Sequence, residues 1–459
     1  MNITDYLIEK YNVPVPRYTS YPPANFFTDH FGETDYRAAI EASNEAASPQ
    51  NISLYLHIPF CSQLCHYCGC NTHITRNAAL KADYVKALKA EIALLAPLLK
   101  SDRQVTQIHW GGGTPNSLTP QQIGGIMETL HNNFRIAPAA EIAIECNPAH
   151  LDAAYVDHLL RLGFNRISLG VQDFDHQVLK TVNREIPTIP IEELMAQIQA
   201  SGKAGVNLDF IYGLPLQTLA SFEKTIGRAI ALRPDRLVTF SYAHVPNIKK
   251  SQRILEKAGL VPADVKIKIF EQTYRMMQQA GYVAIGLDHF AKPADELSQA
   301  LHNRTLHRNF QGYCTRETTG QVYALGTTGI SQLAGAFAQN SMSVTAYMEG
   351  IGAGRFTTVK GHVLTLQEKV VGEVIASLMC NYYVNWDATG ELFGMTGEAV
   401  KANLHYQPEQ LDMLAADGLI QYTNNFFEVT EIGRFFVRNI VASLDVGLNK
   451  EGKTFSKAL

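Results

Sequence analysis

Residues 52–70 read ISLYLHIPFCSQLCHYCGC, and this stretch decides the fold. An apolar strand candidate, Ile52–Ile58, leads directly into three cysteines at CxxxCxxC spacing, Cys61, Cys65 and Cys68. Three thiolates can bind three irons of a four-iron cluster and leave the fourth iron without a protein ligand. An iron with an open position can take part in chemistry, so the spacing predicts a catalytic cluster.

A zinc knuckle is the structural alternative for the same cysteines. It would use Cys61, Cys65, Cys68 and Cys70. Structural zinc takes four ligands, often as two CxxC pairs. The chain has no second pair, and Cys70 follows Cys68 by only two positions. The spacing therefore favours an iron–sulfur cluster over zinc.

The composition is that of a globular protein and excludes several functional classes. The chain has 459 residues with a 46% hydrophobic fraction, enough for two or three ordinary globular domains. Its formal net charge of −4 gives no basic surface for nucleic acid. We find no secretory signal in residues 1–15 and no apolar run of about 18 residues that would cross a membrane. Four of the seven cysteines lie within ten positions, which indicates metal binding in a reducing, cytoplasmic compartment.

From residue 51 onward, strand and helix patterns alternate. The strand candidates cover residues 52–58, 105–110, 141–145, 166–171, 206–211 and 236–242. Such alternation predicts a parallel sheet covered by helices. Six units are too few for a closed eight-stranded barrel, so we expect an open, partial (β/α)6 barrel of the TIM type. Glu145, Gln172 and Asp209 fall near the carboxyl ends of their strands, where such barrels hold ligands.

The pattern divides the chain into four parts. Residues 1–50 form a leader, 51–300 the barrel, 301–363 a barrel extension and connecting segment, and 364–459 a mainly helical, winged-helix-like module. Asn424-Asn425 between two apolar runs predicts a hairpin in this module. The module has 7 Lys and Arg against 12 Asp and Glu, which opposes DNA binding. We interpret it as a lid or packing domain. Residues 307–313 are expected to form a polar-aromatic loop.

A second motif, Trp110-Gly111-Gly112-Gly113-Thr114-Pro115, follows the second strand. Alone it indicates a tight turn, or a backbone that approaches a small ligand because no Cβ intervenes. Together with CxxxCxxC after the first strand, it resembles the radical S-adenosylmethionine (SAM) superfamily. That resemblance implies SAM bound to the open iron through its amino and carboxylate groups. Reductive cleavage of SAM would then provide a radical that abstracts hydrogen from carbon.

The chain also resembles one family within this superfamily, the oxygen-independent coproporphyrinogen III oxidases (coproporphyrinogen dehydrogenases), over nearly all of its length. The motifs that carry the resemblance lie at residues 16–22, 55–61, 68–71, 109–115, 163–166, 170–174, 182–184, 209–215, 288–291 and 307–313. The motifs at 16–22 and 307–313 are specific to this family rather than to radical SAM enzymes in general.

The resemblance implies a set of site residues. The cluster ligands would be Cys61, Cys65 and Cys68. The resemblance also implies an enzyme that binds two SAM molecules. The first would be lined by Tyr55, Gly112, Glu145 and Ile330. The second would be lined by Tyr67, Gly113, Thr114, Gln172, Arg184, Asp209 and Ala243.

Other residues keep two interpretations each. Tyr55 and His57 share one strand face, so they either face the cluster or fill the barrel. Cys70 either serves the reaction or packs as a free thiol. The segment 17–21, Arg-Tyr-Thr-Ser-Tyr, either closes over a carboxylate-bearing substrate or ties the leader to the barrel. The isolated Cys146, Cys314 and Cys380 are expected in the core.

The implied reaction converts two propionates of coproporphyrinogen III to vinyl groups and gives protoporphyrinogen IX. It needs an electron donor and an electron acceptor, which the sequence does not identify, and a monomer is expected. A haem-binding chaperone and a radical SAM methyltransferase acting on haem are the alternatives. The chaperones should lack Cys70 and the 17–21 motif, both present here. Two departures from the family pattern are Asn147, where Asp is expected, and His66, where an aromatic residue is common.

Overall fold

The computed structural model describes residues 4–45 and 49–448. Residues 1–3, 46–48 and 449–459, which the sequence assigns to the leader and the C-terminal module, lie outside the described residues. Within the described ranges, the strands are β1 Ile52–Ile58, β2 Phe60–Cys61, β3 His73–Ile74, β4 Gln104–Gly112, β5 Arg135–Cys146, β6 Arg166–Gln172, β7 Gly205–Tyr212, β8 Arg236–Ser241, β9 Val283–Ile285, β10 His289–Ala291, β11 Leu306–Asn309, β12 Gly312–Thr315, β13 Gln321–Leu325, β14 Ile330–Gln332, β15 Ala336–Asn340, β16 Thr358–Val363, β17 Tyr383–Asn385, β18 Ile420–Tyr422 and β19 Phe426–Val429.

Helices cover both the barrel and the C-terminal region. In the same described ranges they are α1 Asp5–Tyr11, α2 Glu33–Glu45, α3 Ala78–Leu95, α4 Pro120–Asn133, α5 Ala153–Arg161, α6 His176–Thr181, α7 Ile191–Ser201, α8 Leu219–Ala231, α9 Arg253–Glu256, α10 Ala263–Gln279, α11 Glu296–His302, α12 Arg316–Thr319, α13 Val344–Gly352, α14 Leu366–Asn381, α15 Trp386–Glu391, α16 Gly397–Ala402, α17 Pro408–Ala416 and α18 Val437–Leu444. Thr119 and Thr218 begin α4 and α8 with capping boxes, each satisfying backbone N–H groups of the first turn.

The main sheet has twelve strands in the order β16-β15-β14-β13-β1-β4-β5-β6-β7-β8-β10-β9. The six predicted strands are β1 and β4 to β8, and they pair in parallel. This arrangement confirms the partial barrel. β13 adds a parallel strand beside β1, pairing Ile52 with Gln321. β10 adds an antiparallel strand beside β8. The sheet is therefore wider than the sequence pattern predicts.

The prediction that residues 307–313 form a loop is wrong. β11 and β12 form an antiparallel hairpin in which Leu306 pairs with Thr315. The hairpin places Asn309, Gln311 and Tyr313 on the wall of a cavity. Its polar residues therefore face a ligand space rather than solvent, and for that reason the local pattern resembles a loop.

The two largest apolar cores of the described residues account for most of the fold's buried apolar side chains. The larger lies between the sheet and its helices, with Trp110 and Phe222 among its buried side chains. The second joins the leader to the C-terminal module, packing Leu7 and Tyr18 with Leu378 and Ile440. In that module β18 and β19 pair antiparallel around Asn424-Asn425, which confirms the predicted hairpin.

Polar contacts also attach the leader to the C-terminal module. The hydroxyls of Tyr18 and Tyr21 donate to the Asp445 carboxylate at 2.9 and 2.8 Å. The Arg438 guanidinium donates to the Pro16 carbonyl at 3.1 Å. The segment 17–21 is thus held from the C-terminal side. Among the residues that the structure describes, no helix is long and apolar enough to span a membrane.

Candidate active site

The three CxxxCxxC thiols line one cavity of about 400 Å³ at the carboxyl ends of the parallel strands. Cys61 Sγ lies 3.3 Å from Thr114 Oγ1, which follows β4. The Arg184 guanidinium lies 3.9 Å from Cys65 Sγ. A hydrogen bond from Cys70, together with nearby cations, lowers the pKa of the Cys68 thiol to about 6. These surroundings favour the thiolate, the form that binds metal, at Cys68, whereas burial raises the pKa of the Cys61 thiol to about 11.

The segment after α6 holds the cysteine loop in place. The His66 N–H donates to the Val182 carbonyl at 2.9 Å. The Asn183 amide donates to the Leu64 carbonyl at 2.8 Å. Ser62 Oγ donates to the Glu185 carboxylate at 2.7 Å. These bonds fix the backbone of the loop through the protein's own groups.

The thiols are spaced around the cavity rather than gathered at a point. In the described part of the chain, no three His, Cys, Asp or Glu side chains lie close enough to hold a single metal ion. In a four-iron cluster each thiolate binds a different iron. The wall of this one cavity carries Cys61, Cys65 and Cys68, which fits that donor arrangement. The Arg184 cation beside them would offset the negative charge of a thiolate-bound cluster.

The glycine triplet packs against the cysteine loop. A Cβ on Gly112, whose φ is +113°, would lie 2.7 Å from the His57 ring. A Cβ on Gly113 would lie 2.6 Å from the Pro59 carbonyl oxygen and 3.1 Å from Cys61 Sγ. Real Cβ atoms do not approach neighbours so closely, so glycine lets the end of β4 contact the loop. The sequence predicts that this glycine backbone lies close to a ligand. In the structure it lies close to the protein's own groups, the His57 ring and the Pro59 carbonyl.

Two strand-end carboxylates face the cavity with different partners. Glu145 lies 3.0 Å from His109 Nε2. Burial opposes protonation of His109, but the Glu145 carboxylate outweighs it and raises the pKa of the imidazole. Asp209 accepts from Ser168 Oγ at 2.7 Å, and burial raises the pKa of its carboxyl to about 6. Both carboxylates can accept hydrogen bonds from ligand hydroxyl groups.

Gln172 has an unusual backbone and an unpaired side-chain atom. Its φ is +69°, at a register shift between β6 and β7. Its Oε1 is buried on the cavity wall and has no hydrogen-bond partner among the described residues. Strained backbone and unsatisfied polar atoms concentrate at ligand sites. The Arg184 guanidinium donates to the Gly170 carbonyl beside it at 2.6 Å.

The structure brings most of the predicted site residues together. Those that line the cluster cavity are Cys61, Cys65, Tyr67, Cys68, Cys70, Gly112, Gly113, Thr114, Glu145, Gln172, Arg184 and Asp209. Tyr55 is not among the residues that line this cavity; its hydroxyl lies 3.2 Å from His57 Nδ1 and its ring centroid 5.9 Å from that of His109. Tyr55 and His57 therefore share one face of β1, as the strand period predicts.

Two predicted residues lie elsewhere. Ala243 lines a neighbouring cavity. The Gln252 amide donates to both the Ala243 and the Tyr67 carbonyls at 3.2 Å and so connects the two places. Ile330 lies in β14, two strands from β1 in the sheet, and is not on the wall of the cluster cavity.

Sequence reasoning missed several residues of the site. Ser168 precedes Gly170 and Gln172 by steps of two on β6, so strand alternation could have placed it on the cavity face. Glu185 follows the quoted 182–184 motif directly, and no local pattern shows that it holds Ser62 and His150. Asn147 donates to Glu185 at 3.0 Å. An Asp there would set two carboxylates against each other, so the departure from the family pattern suits this loop.

The buried cysteines behave as predicted. Cys146, Cys314 and Cys380 are all buried, and burial raises the pKa of each thiol. None of these thiols is poised to ionise at neutral pH. All seven cysteines of the chain are free.

The fold and the cysteine cavity define a radical SAM protein, and the family model described as the Radical SAM superfamily matches residues 55–229. Membership brings a [4Fe-4S] cluster and SAM as cofactors. The chain is 41% identical to the oxygen-independent coproporphyrinogen III oxidase of Synechocystis sp. over 99% of this chain and 97% of the relative. It is 39% identical to that of Escherichia coli K12, covering 97% and 96%. A solved structure of E. coli coproporphyrinogen III oxidase (HemN) superposes with a TM-score of 0.87 at 38% identity, over 97% of this chain and 99% of that one. The chain belongs to the oxygen-independent coproporphyrinogen III oxidase family.

Proposed function

We propose that this enzyme oxidatively decarboxylates two propionate side chains of coproporphyrinogen III to vinyl groups and gives protoporphyrinogen IX. Each propionate loses a hydrogen atom from its β-carbon, a molecule of carbon dioxide and one electron. The electron passes to an external acceptor. The observation that carries the proposal is the convergence of three cluster-spaced thiols, Glu145, Gln172, Arg184 and Asp209 on one cavity, in a chain similar to the named oxidases over almost its whole length.

The chain's own residues have defined tasks in this reaction. When bound, the cluster and SAM supply the radical that removes hydrogen from an unactivated carbon. We assign Cys61, Cys65 and Cys68 as cluster ligands. Glu145 and Asp209 accept hydrogen bonds from ribose hydroxyls, and Arg184 pairs with a carboxylate. The buried barrel wall excludes water, which limits side reactions of a radical.

We extend the proposal to two SAM molecules. Tyr55, Gly112, Glu145 and Ile330 would contact the first. Tyr67, Gly113, Thr114, Gln172, Arg184, Asp209 and Ala243 would contact the second. The unpaired Gln172 Oε1 supports a polar ligand on that side of the cavity. Tyr55 and Cys70 are the candidates for a direct role in the reaction, because Cys70 lines the cavity and Tyr55 lies beside His109, which also lines it.

The proposal also covers the domains, the compartment and the partners of the enzyme. We propose a cytoplasmic monomer in which residues 1–50 act as a substrate strap, 51–300 as the catalytic barrel, 301–363 as its extension and 364–459 as a packing domain. Seven free cysteines support a reducing compartment. The electron donor and acceptor are separate partners, and neither nucleic acid nor a membrane takes part.

An anaerobic turnover assay tests the reaction. Reconstituted protein, a reductant, SAM and coproporphyrinogen III are mixed, and porphyrins and 5′-deoxyadenosine are measured by mass spectrometry. We expect loss of two carboxyl groups together with formation of 5′-deoxyadenosine. 5′-Deoxyadenosine without any change of the porphyrinogen would contradict the substrate, and haem would be tried next. Absence of both products from protein with a verified cluster and electron supply would favour a haem-binding chaperone.

SAM binding is expected to weaken as the pH falls through the Asp209 pKa of about 6. Only the ionised carboxylate accepts hydrogen bonds from two hydroxyls, so protonation competes with the ligand. If binding needs the ionised form, the SAM Kd at pH 5.5 is about fourfold higher than at pH 7.5. Equilibrium dialysis of SAM against the cluster-loaded protein measures this change.

Asp209→Asn provides the control for this prediction. Asparagine cannot ionise. The SAM Kd of the Asp209→Asn variant should therefore be higher than that of the wild type at pH 7.5, and it should change little between pH 7.5 and 5.5. Glu145, His109 and His289 also contribute charge around Asp209. An unchanged pH profile in Asp209→Asn would assign the titration to one of those groups instead.

A further inference from the structure

A second cavity, of about 610 Å³, lies on the opposite face of β8 from the cluster cavity. Val238 and Phe240 line the cluster cavity, whereas Thr239 and Ser241 line the second one. His289 lines both. The two spaces therefore share β8 and His289 as a wall. The second volume lies within the range of roughly 300–1,000 Å³ that is usual for ligand pockets.

Aromatic side chains form much of the second cavity's wall. They are Tyr212, Tyr242, Phe270, Tyr274, Phe290, Tyr382 and Phe435. Tyr212 stacks on Phe270 with ring centroids 6.1 Å apart, and Tyr274 packs on Phe435 at 5.1 Å. Rings that brace one another form a rigid apolar surface. Such a surface fits a broad, flat, hydrophobic body.

The charges around this cavity are strongly unequal. Arg17, Lys266, Arg434 and Arg438 line it, and Asp288 is the single carboxylate among its lining residues. Asp288 is already engaged, since its Oδ1 lies 2.6 Å from His289 Nδ1 and its Oδ2 lies 3.9 Å from Arg17. The cations outnumber the carboxylate four to one, so the cavity is complementary to an anion.

Two of the cations have little to compensate them. Lys266 Nζ donates to the Tyr242 carbonyl at 2.9 Å, and no ion pair within 4.0 Å joins it to the described carboxylates. Arg434 Nε is buried without a hydrogen-bond partner in the described part of the chain, and its guanidinium lies 4.5 Å from the Tyr382 ring centroid. Burial lowers the pKa of Lys266. Removing charge from water without a counter-ion is costly, and a bound anion would reduce that cost.

The leader supplies the edge of the cavity. Arg438 donates to the carbonyls of Pro16 and Val15, and so places Arg17 beside the opening. The Arg17 side chain is 46% exposed. A ligand in the cavity would therefore meet a partly exposed cation at its solvent side.

We propose that the second cavity binds the two propionate carboxylates that the reaction leaves intact, with the macrocycle against its aromatic wall and the reacting side chains directed around the carboxyl end of β8, at Ser241, toward the cluster cavity. Lys266 and Arg434 are the main carboxylate partners. A guanidinium and an ammonium each form charge-assisted hydrogen bonds with a carboxylate. The inference rests on the proposed function, since it takes the tetrapyrrole as the substrate.

Porphyrin binding tests the inference independently of turnover. Coproporphyrin III, the stable oxidised form with the same four propionates, is titrated into the full-length, cluster-loaded protein and followed by its fluorescence. We expect Lys266→Gln and Arg434→Gln each to raise the Kd about tenfold, and Arg434→Lys to retain most of the affinity. Protoporphyrin IX keeps the two unreacted propionates, so its Kd for Lys266→Gln and for Arg434→Gln should rise by the same factor. The tetramethyl ester of coproporphyrin III should bind the wild type and the variants equally.

Lys268→Gln is the matched control. Lys268 lies on α10 like Lys266, but its side chain is 64% exposed and pairs with Asp264 at 3.8 Å. It lines neither cavity. We expect its porphyrin Kd to match the wild type. Near-ultraviolet circular dichroism of each variant checks that the fold is kept.

Two results would overturn the inference. One is wild-type porphyrin affinity in folded Lys266→Gln and Arg434→Gln. The other is weaker coproporphyrin III binding with unchanged protoporphyrin IX binding, because the cations would then hold the reacting propionates. Turnover separates this failure from that of the proposed function. Wild-type decarboxylation with an unaltered KM in both variants rejects only the cavity assignment, whereas no decarboxylation by the wild type rejects the function.

Discussion

Cys65→Ser is expected to remove the cluster and, with it, both products of the reaction. Serine is a poor ligand for iron at neutral pH because its hydroxyl does not ionise as a thiol does. Turnover should fall to background, a loss of at least ~10³-fold for an enzyme of ordinary rate enhancement. Iron content, the visible absorption of the thiolate-bound cluster and 5′-deoxyadenosine formation measure the effect. Cys61→Ser and Cys68→Ser should give the same result.

Cys70→Ser provides the comparison on the same loop. Cys70 lines the cavity but is not among the three proposed ligands. The variant should keep the iron content and absorption of the wild type. If it also keeps decarboxylation, Cys70 has no part in the reaction. Loss of iron in Cys70→Ser with retention in Cys65→Ser would contradict the ligand assignment.

Glu91→Ala is expected to cause the largest loss of stability. Glu91 on α3 is 1% exposed. Its carboxylate accepts from the Gly326 N–H at 2.7 Å, Asn340 Nδ2 at 2.8 Å and the Tyr347 hydroxyl at 2.6 Å. Alanine leaves the Gly326 N–H and the Tyr347 hydroxyl without this acceptor, leaves Asn340 Nδ2 with its bond to the Gly326 carbonyl, and opens a cavity, at a cost of roughly 3–5 kcal/mol. Scanning fluorimetry at a fixed heating rate should show a fall of about 3–5 °C in the apparent Tm of a chain of this length.

Two variants set the scale for this effect. Tyr347→Phe removes one of the three donors without a cavity and should cost about 1 kcal/mol. Asp83→Ala lies on the same helix, but Asp83 is 59% exposed and forms a surface pair with Lys86. It should change the Tm little, since such pairs contribute roughly 0–1 kcal/mol. A Glu91→Ala protein as stable as Asp83→Ala would show that the buried carboxylate is not structural.

The parallel core of the fold was predictable because its strands are short apolar runs with clear ends. β1 has the predicted bounds, since Pro59 follows a run in which every second residue is apolar, from Ile52 to Ile58. β5 is longer than the predicted 141–145 because Arg135 and Ile136 pair with the start of β4. Their exposed or half-buried side chains carry no apolar pattern. Strand ends that depend on a neighbour's backbone leave little local signal.

The cysteine cavity followed from motifs, while its surroundings required the tertiary structure. The spacing of Cys61, Cys65 and Cys68 and the polar ends of three strands indicated the cavity. Glu185, which holds Ser62, lies 123 positions from it. Lys266 and Arg434 meet across a cavity although they belong to α10 and to a turn near α18. No periodicity connects side chains so far apart, so the second cavity could not be predicted.

The leader's place in the second apolar core has a consequence for the order of synthesis. The ribosome makes Leu7 and Tyr18 first, yet their partners on α14 and α18 lie within residues 366–444. β1 likewise waits for β13, whose Gln321 pairs with Ile52. The cysteine loop therefore leaves the ribosome long before its frame exists. Contacts of such long sequence separation form slowly. The thiols of the nascent chain thus stay open to oxidants and stray metals at least until residues 182–185, which hold the loop, and β13, which pairs with β1, have been made.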